Sequence, residues 1–186
     1  MNKLLVLSLL LLSVGMVNAQ DLELNEQGDY ERKEVVQVDG VSAAQLYDRA
    51  MIALSDWTGS DGKAKVGIDY QNQETYTLIY KGTFYLGYKR VIMNGWDRYG
   101  NFTLRVRCKD GKAQLTLTVP SVTGIYDKNG NTKVFGLQEV IEGKEKAGKS
   151  KKERMEKLIE DLKNNADDIF AAMSNRLKNG GGDDDF

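Results

Sequence analysis

The chain contains 186 residues, and its 26 Lys and Arg residues nearly balance its 27 Asp and Glu residues, for a formal net charge of −1. This balance provides no overall field that would draw the protein to nucleic acid or to anionic lipid. The sequence has no histidine, so most hydrolase and zinc mechanisms lose their usual base or ligand. The single cysteine, Cys108, permits no internal disulfide, and stability must come from packing and backbone hydrogen bonds.

Residues 1–19 have the layout of a secretory signal peptide. A basic start at Lys3 precedes an apolar run from Leu4 to Val17, and the segment ends at the small residue Ala19. The run is shorter than the roughly 20 residues that a helix needs to cross a bilayer. No cysteine follows Ala19 to carry a lipid. We therefore expect cleavage after Ala19 and a soluble product in the periplasm or outside the cell, with neither a membrane span nor a lipid anchor.

The rest of the chain is of a size that suits one domain with its own core. We expect residues 20–29 to form a polar lead, 30–178 a single domain and 179–186 a flexible acidic tail.

The domain should begin with a strand over Tyr30 to Val38 that is rich in valine. Ser42 and Gln45 then have the spacing of a capping box, which predicts the start of a helix. The apolar residues from Ala43 to Trp57 fall on one stripe at helical spacing, so this helix should pack one face against the core.

Alternation of apolar and polar residues then predicts a series of half-buried strands. Two runs extend from Val66 to Tyr70 and from Tyr76 to Tyr80, and Gly82 is expected to end or bend the second strand. The same parity continues from Phe84 to Tyr88. The sequence leaves open whether 87–100 joins the sheet.

A β-hairpin is the clearest local prediction. The runs Phe102 to Cys108 and Leu115 to Val119 alternate, and Asp110-Gly111 between them favours the primed turns of hairpins. Pro120, which has no N–H donor, is expected where the pairing of the second strand ends.

A turn-rich connection over 121–149 follows, and whether 132–138 joins the sheet is also open. Ser150 and Glu153 predict a second capping box at the start of a long amphipathic helix. Gly180 should stop that helix.

This order predicts an α+β fold, a two-layer β-α-β-β-β-β-α domain. Both amphipathic helices would lie on one face of an antiparallel sheet, since that arrangement buries every apolar stripe at once.

Three segments of this domain resemble a known family: Val38 to Ala44, Leu46 to Ala50, and Lys109 to Gly111. The chain is similar, over about residues 30 to 125, to secreted domains of unknown function from Bacteroides-type bacteria. The resemblance implies a fold like that of the TATA-binding protein (TBP). It supplies no catalytic or binding residues that could be transferred to this chain.

Carboxylates are the remaining candidates for catalysis. A pair of acids could hydrolyse a glycosidic bond, although acids in turns more often accept hydrogen bonds from the backbone. Five aspartates lie in or near expected loops: Asp56, Asp61, Asp69, Asp97 and Asp110.

The alternation of Asp127, Asn129 and Asn131 is typical of calcium loops. The glycine, Gly130, is however misplaced for such a loop, so we expect a plain turn. We predict no metal site and no cofactor.

The solvent-facing side of the predicted sheet is polar and somewhat basic. Its expected residues are Thr75, Thr77, Lys81, Thr103, Arg105, Arg107, Gln114, Thr116 and Thr118. In TBP that surface binds the DNA minor groove with positive charge and apolar wedges. Such wedges are not evident at this parity, and a near-neutral exported protein is not expected to bind nucleic acid.

Aromatic residues cluster in the middle of the chain, where they could stack sugars or anchor a protein interface. Alternation places Tyr76, Tyr80 and Tyr88 in the core. Tyr85, Trp96 and Tyr99 are left as the aromatic candidates for an exposed site. Together with Arg105 and Arg107 of the polar sheet face, they are the candidate binding residues.

Our first hypothesis is a non-enzymatic exported envelope domain that binds a protein or saccharide partner, whose identity stays open. The alternative is a carboxylate-dependent enzyme that acts on envelope polymer. A third is a structural subunit of an assembly.

Overall fold

The structure, a computed structural model, describes residues 23–55, 57–59, 62–91, 94–125, 132–145 and 148–180. For residues 23, 88–91, 94–96, 143–145, 150, 151 and 154 it describes the backbone alone. The strands are β1 (Glu23–Leu24), β2 (Tyr30–Gln37), β3 (Lys65–Asn72), β4 (Thr77–Val91), β5 (Asn94–Lys109), β6 (Lys112–Ile125) and β7 (Thr132–Gly136). The helices are α1 (Ala43–Ile52), α2 (Leu137–Glu145) and α3 (Lys149–Asn179).

The strands form one antiparallel sheet in the order β1-β2-β6-β5-β4-β3, with β7 also paired to β6. Alternate residues of β4, β5 and β6 are buried, and the core joins them to the apolar stripes of α1 and α3. The principal core residues of the helices are Leu46, Tyr47, Ala50, Leu162, Ala166, Ile169, Met173 and Leu177. The predicted α+β arrangement of helices on one face of an antiparallel sheet is confirmed.

The turn-rich connection contributes more structure than expected. Residues 132–136 form β7 and Leu137 begins α2, so 132–138 does join the fold. The polar lead likewise contributes β1, which pairs with β2. The fold therefore has three helices and seven strands among the described residues.

The expectation that pairing ends near Pro120 was wrong. Strand β6 continues to Ile125 and pairs with β2 before the proline and with β7 after it. The register with β5 shifts between Asn101 and Thr103, opposite Pro120. A proline is tolerated there because a bulge does not require the N–H that it lacks.

The irregular stretch 87–100 also belongs to the sheet. Strand β4 passes through Gly82 without ending, and β5 begins at Asn94, which pairs with Val91. Asn94 and Gly95 therefore lie in a strand. The register shifts between Tyr85 and Tyr88.

Two glycine–phenylalanine pairs lie at the centre of the sheet. Gly82 pairs with Phe102, and Phe84 pairs with Gly100, so each ring has a glycine directly across the strand boundary. The two rings stack with centroids 5.7 Å apart, and Trp57 meets Phe102 edge-on. The glycines provide the space in which these rings lie, because a Cβ at Gly82 or Gly100 would be 2.7 Å from ring atoms.

The ends of α1 and α3 agree with the predicted caps in two cases and differ in one. Ser42 and Gln45 form both hydrogen bonds of the predicted capping box, and Gly180 ends α3 with a φ of 69°. The box at Ser150 was wrong: Gly148 has the extended N-cap backbone, and Ser150 lies inside the first turn. Helix α1 ends at Ile52, so Trp57 reaches the core from the loop that follows.

The Gly100→Ala substitution should destabilise the protein by about 2 kcal/mol, because the new methyl group overlaps the Phe84 ring. Urea denaturation would measure the change. The matched control is Gly67→Ala, at a position in β3 where a Cβ meets nothing within 4 Å. Equal midpoints for the two variants would contradict the importance of the glycine–phenylalanine pairs.

Candidate functional site

The open face is the surface of the sheet opposite the helices, formed by side chains that alternate with the buried ones. Its described members include Lys33, Val35, Tyr70, Thr77, Ile79, Lys81, Tyr85, Tyr99, Thr103, Arg105, Arg107, Gln114, Thr116 and Thr118. All are exposed or half-buried. The threonine-rich, basic character predicted for this face is present.

The open face also has apolar side chains among its polar ones. Ile79 lies between Thr77 and Lys81 on β4, and Val35 lies on β2 with 40% of its surface exposed. Tyr70 also reaches this face because the β3 register shifts after Ile68, and it is 47% exposed. A shift of one residue in pairing moves a side chain to the other face, which alternation along one strand does not reveal.

Tyr85 and Tyr99 form a tyrosine pair near one end of the open face. They are directly opposed on β4 and β5, with ring centroids 5.5 Å apart. The Tyr85 hydroxyl donates to Oδ1 of Asp97 at 2.9 Å, and Nζ of Lys63 lies 3.8 Å from the Tyr85 ring centroid. Both rings are half-buried. The pair is therefore already engaged by neighbouring groups.

Trp96 is paired with Lys89 through the backbone, one step beyond Asp97 on β5. Its side chain lies outside the described residues, so the structure places only its backbone near the tyrosine pair.

The two arginines of the predicted site lie elsewhere on the open face. Arg105 and Arg107 are exposed on β5, and Arg105 is six positions after Tyr99. At the rise of a strand that separation is about 20 Å. The structure thus divides the predicted site into the tyrosine pair and an arginine region.

Cross-strand register surrounds the arginines with mixed side chains. Arg105 lies between Ile79 and Thr116, and Arg107 lies between Thr77 and Gln114. On β3, Tyr70 pairs with Ile79 and so extends the row of paired residues that contains Arg105. On β2, Val35 pairs with Gln114 and so extends the row that contains Arg107. We call Val35, Tyr70, Ile79, Arg105 and Arg107 the arginine patch.

The candidate acids are held in separate places. Asp69 pairs with Lys81 at 2.9 Å, Asp97 accepts from Tyr85, and Asp110 accepts from the backbone N of Ala43 at 2.8 Å. Asp97 and Asp110 lie at opposite ends of β5. Asp56 and Asp61 are outside the described residues. The acids that are described act as local hydrogen-bond or ion-pair partners.

In the described part of the chain, no group of three acids or cysteines is placed to hold a metal ion. The Asp127, Asn129 and Asn131 alternation falls outside it. None of the described helices is long and apolar enough to cross a membrane.

Sequence reasoning missed a polar network between β2 and α3. Arg32 and Glu34 occupy inward positions of β2 and are each 12% exposed. Arg32 bonds Asp167 and lies 4.4 Å from the Phe170 ring centroid, while Ser174 Oγ is 3.4 Å from Glu34. The sequence did contain a signal for this network. Two charged residues, Arg32 and Glu34, lie at alternate positions between the apolar residues Tyr30 and Val36.

It also missed Arg98, which lies on the helix side of β5. Its Nη2 donates to the Leu86 carbonyl at 2.8 Å, beside the bulge at Gly87. Burial lowers the pKa of this guanidinium, and Asp161 partly opposes that effect.

These features define a TBP-like α+β domain with an open sheet face. Residues 33–123 match the model of a family described as a domain of unknown function (DUF4468) with TBP-like fold. The resemblance predicted from the sequence is therefore confirmed for the fold and for this stretch of the chain.

Two solved structures have the same fold. A DUF4468 family protein from Bacteroides ovatus superposes with a TM-score of 0.59 at 19% identity, covering 88% of this chain and 91% of that one. A TBP-like protein from Parabacteroides distasonis gives a TM-score of 0.51 at 14% identity, with coverages of 83% and 97%. Among curated proteins, none matches this chain.

The Asp110→Ala variant should lose about 1 kcal/mol of stability, because Asp110 provides a hydrogen bond to the first turn of α1. Thermal unfolding would measure it. Asp110→Asn is the matched control, since it keeps the acceptor oxygen and the turn preference but not the charge. If the Asn variant lost as much stability as the Ala variant, the carboxylate charge would be required and the capping role would be contradicted.

Cys108 should be unreactive toward a disulfide reagent at pH 8. Burial raises the pKa of its thiol to about 11, so only about one molecule in a thousand carries the reactive thiolate at that pH. Reaction should become stoichiometric in guanidinium chloride. A Gln114→Cys variant provides a reactive control on the open face, and equal rates for both thiols in the native state would refute this expectation.

Proposed function

We propose that this chain is a non-enzymatic binding domain that works outside the cytoplasm and binds a protein or saccharide partner on its open face. The observation that carries the proposal is the exposure of Arg105 and Arg107 beside Tyr70 and Ile79. Arginine and tyrosine are enriched where interfaces bury their most important contacts.

The proposal of a non-enzymatic role rests on the placement of the acids. Glycoside hydrolysis by two carboxylates needs them about 5 to 10 Å apart around the scissile bond. Asp97 and Asp110 lie at opposite ends of one strand, and Asp69 is engaged by Lys81. Histidine, the usual alternative base, does not occur in the sequence.

The proposed partner is not nucleic acid, although the fold has the surface with which TBP binds DNA. The near-neutral net charge gives no long-range attraction to a polyanion of that size. The signal-peptide pattern of 1–19 supports a location in the periplasm or outside the cell.

Site-specific photocrosslinking in the natural host would test the proposal. A photoreactive amino acid at Thr103, in the middle of the open face, should crosslink the protein to a macromolecule recovered from the periplasm or the medium. The same amino acid at Lys163, exposed on α3, should not.

Crosslinking from Lys163 alone, or from neither position, would contradict binding at the open face. An adduct of two copies of this chain would instead favour a structural subunit. Recovery from the cytoplasm of a chain that retains 1–19 would contradict export.

A further inference from the structure

We propose that the partner is a protein that presents an acidic segment in an extended conformation, and that this segment binds at the arginine patch. This inference rests on the proposed function and specifies the position and the partner. It concerns Val35, Tyr70, Ile79, Arg105 and Arg107, which lie on four of the five neighbouring strands β2-β6-β5-β4-β3.

The spacing of the arginines fits an extended chain. Arg105 and Arg107 are alternate residues of one strand, so their side chains leave the same face about 7 Å apart. Alternate side chains of an extended peptide have the same spacing. Two carboxylates at alternate positions of such a peptide could therefore each meet one guanidinium, as charge-assisted hydrogen bonds require.

The charges of the open face favour an acidic partner. Lys33 is paired with Glu31 at 2.5 Å, and Lys81 is paired with Asp69 at 2.9 Å. Within the described residues, the guanidinium groups of Arg105 and Arg107 have no side-chain hydrogen bond or ion pair. These two positive charges are available to a partner even though the whole chain has a net charge of −1.

The same end of the sheet has further cations. Lys109 and Lys112 are exposed beside the β5–β6 turn and extend the positive surface from Arg107. Three acids lie at this end: Asp110 accepts from the N of Ala43, Glu74 occupies the β3–β4 turn, and Asp39 is exposed just after β2, whose Val38 N–H donates to the Gly111 carbonyl. The cations therefore outnumber the acids around the patch.

The apolar members of the patch favour a protein over an anionic polysaccharide. Val35 and Tyr70 are about half exposed at opposite sides of the arginines, and Ile79 is beside Arg105. A peptide can bury valine or aromatic side chains against them, whereas a polyuronate offers mainly hydroxyls and carboxylates. Lys63 already covers the Tyr85 ring, which reduces the surface on which a sugar could stack.

Fluorescence anisotropy with defined probes would test the inference. The first probe is a short labelled peptide with glutamate at two alternate positions and valine two positions before and two positions after them, so that all four side chains share one face of the extended chain. The second probe replaces each glutamate with lysine. We expect the acidic peptide to bind, with an affinity that falls as salt is added, and the lysine peptide not to bind.

Arg105→Glu combined with Arg107→Glu should weaken binding of the acidic peptide by at least about tenfold. The matched control combines Lys152→Glu with Lys163→Glu, two exposed lysines of α3, and makes the same change in net charge. It should bind like the wild type. Circular dichroism of both variants would verify that they fold.

Several results would overturn the inference. One is a failure of the acidic peptide to bind the wild type, and another is an equal fall of its affinity in the two double variants. Tighter binding of polygalacturonate or duplex DNA than of the peptide would also overturn it. A dimer that only the arginine variant disrupts, measured by sedimentation, would assign the patch to self-association. The photocrosslinking result at Thr103 is independent of these probes, so failure here can be distinguished from failure of the proposed function.

Discussion

Burial of one face of the sheet against α1 and α3 is the constraint on which the rest of this structure depends. At its centre, Phe84 and Phe102 stack on each other, and each has a glycine of the neighbouring strand opposite its ring. Side chains larger than glycine at those two positions would overlap the rings. Because alternate residues of a strand point to opposite faces, packing the helices on one side commits every intervening side chain to the open face.

Polar contacts hold the helices in register with that core. Asp110 and the Ser42–Gln45 box fix the start of α1 to the β5–β6 turn and to the preceding loop. Arg32 and Glu34 provide partners for α3, where an apolar pair would provide only contact area. Breaking such a network by removing one member leaves a partly buried charge without its partner, which is more costly than losing an exposed ion pair. These residues thus serve the helix layer and not the open face.

A shared fold does not transfer a function, since unrelated activities occur on the same architecture. The likeness to TBP therefore directs attention to a surface but does not identify its ligand. On this chain that surface has arginines and exposed apolar side chains at one end and an engaged tyrosine pair at the other. The difference in free surface between the two ends is the reason for placing the proposed partner at Arg105 and Arg107 and not at Tyr85 and Tyr99.

Local patterns in the sequence determined the elements whose causes are local: the α1 capping box, the Asp110-Gly111 hairpin, the alternating core of β4 to β6, and the arginines on the outer face. Tertiary structure alone decided the features that depend on partners distant in sequence. Strand β7 forms because β6 continues past Pro120 and offers it an edge, and Tyr70 joins the open face because pairing with β4 shifts by one residue. The separation of Tyr99 from Arg105 was readable from the spacing of β5, but the neighbours of each were not. Register between strands, set by packing of the whole sheet, determines which side chains meet.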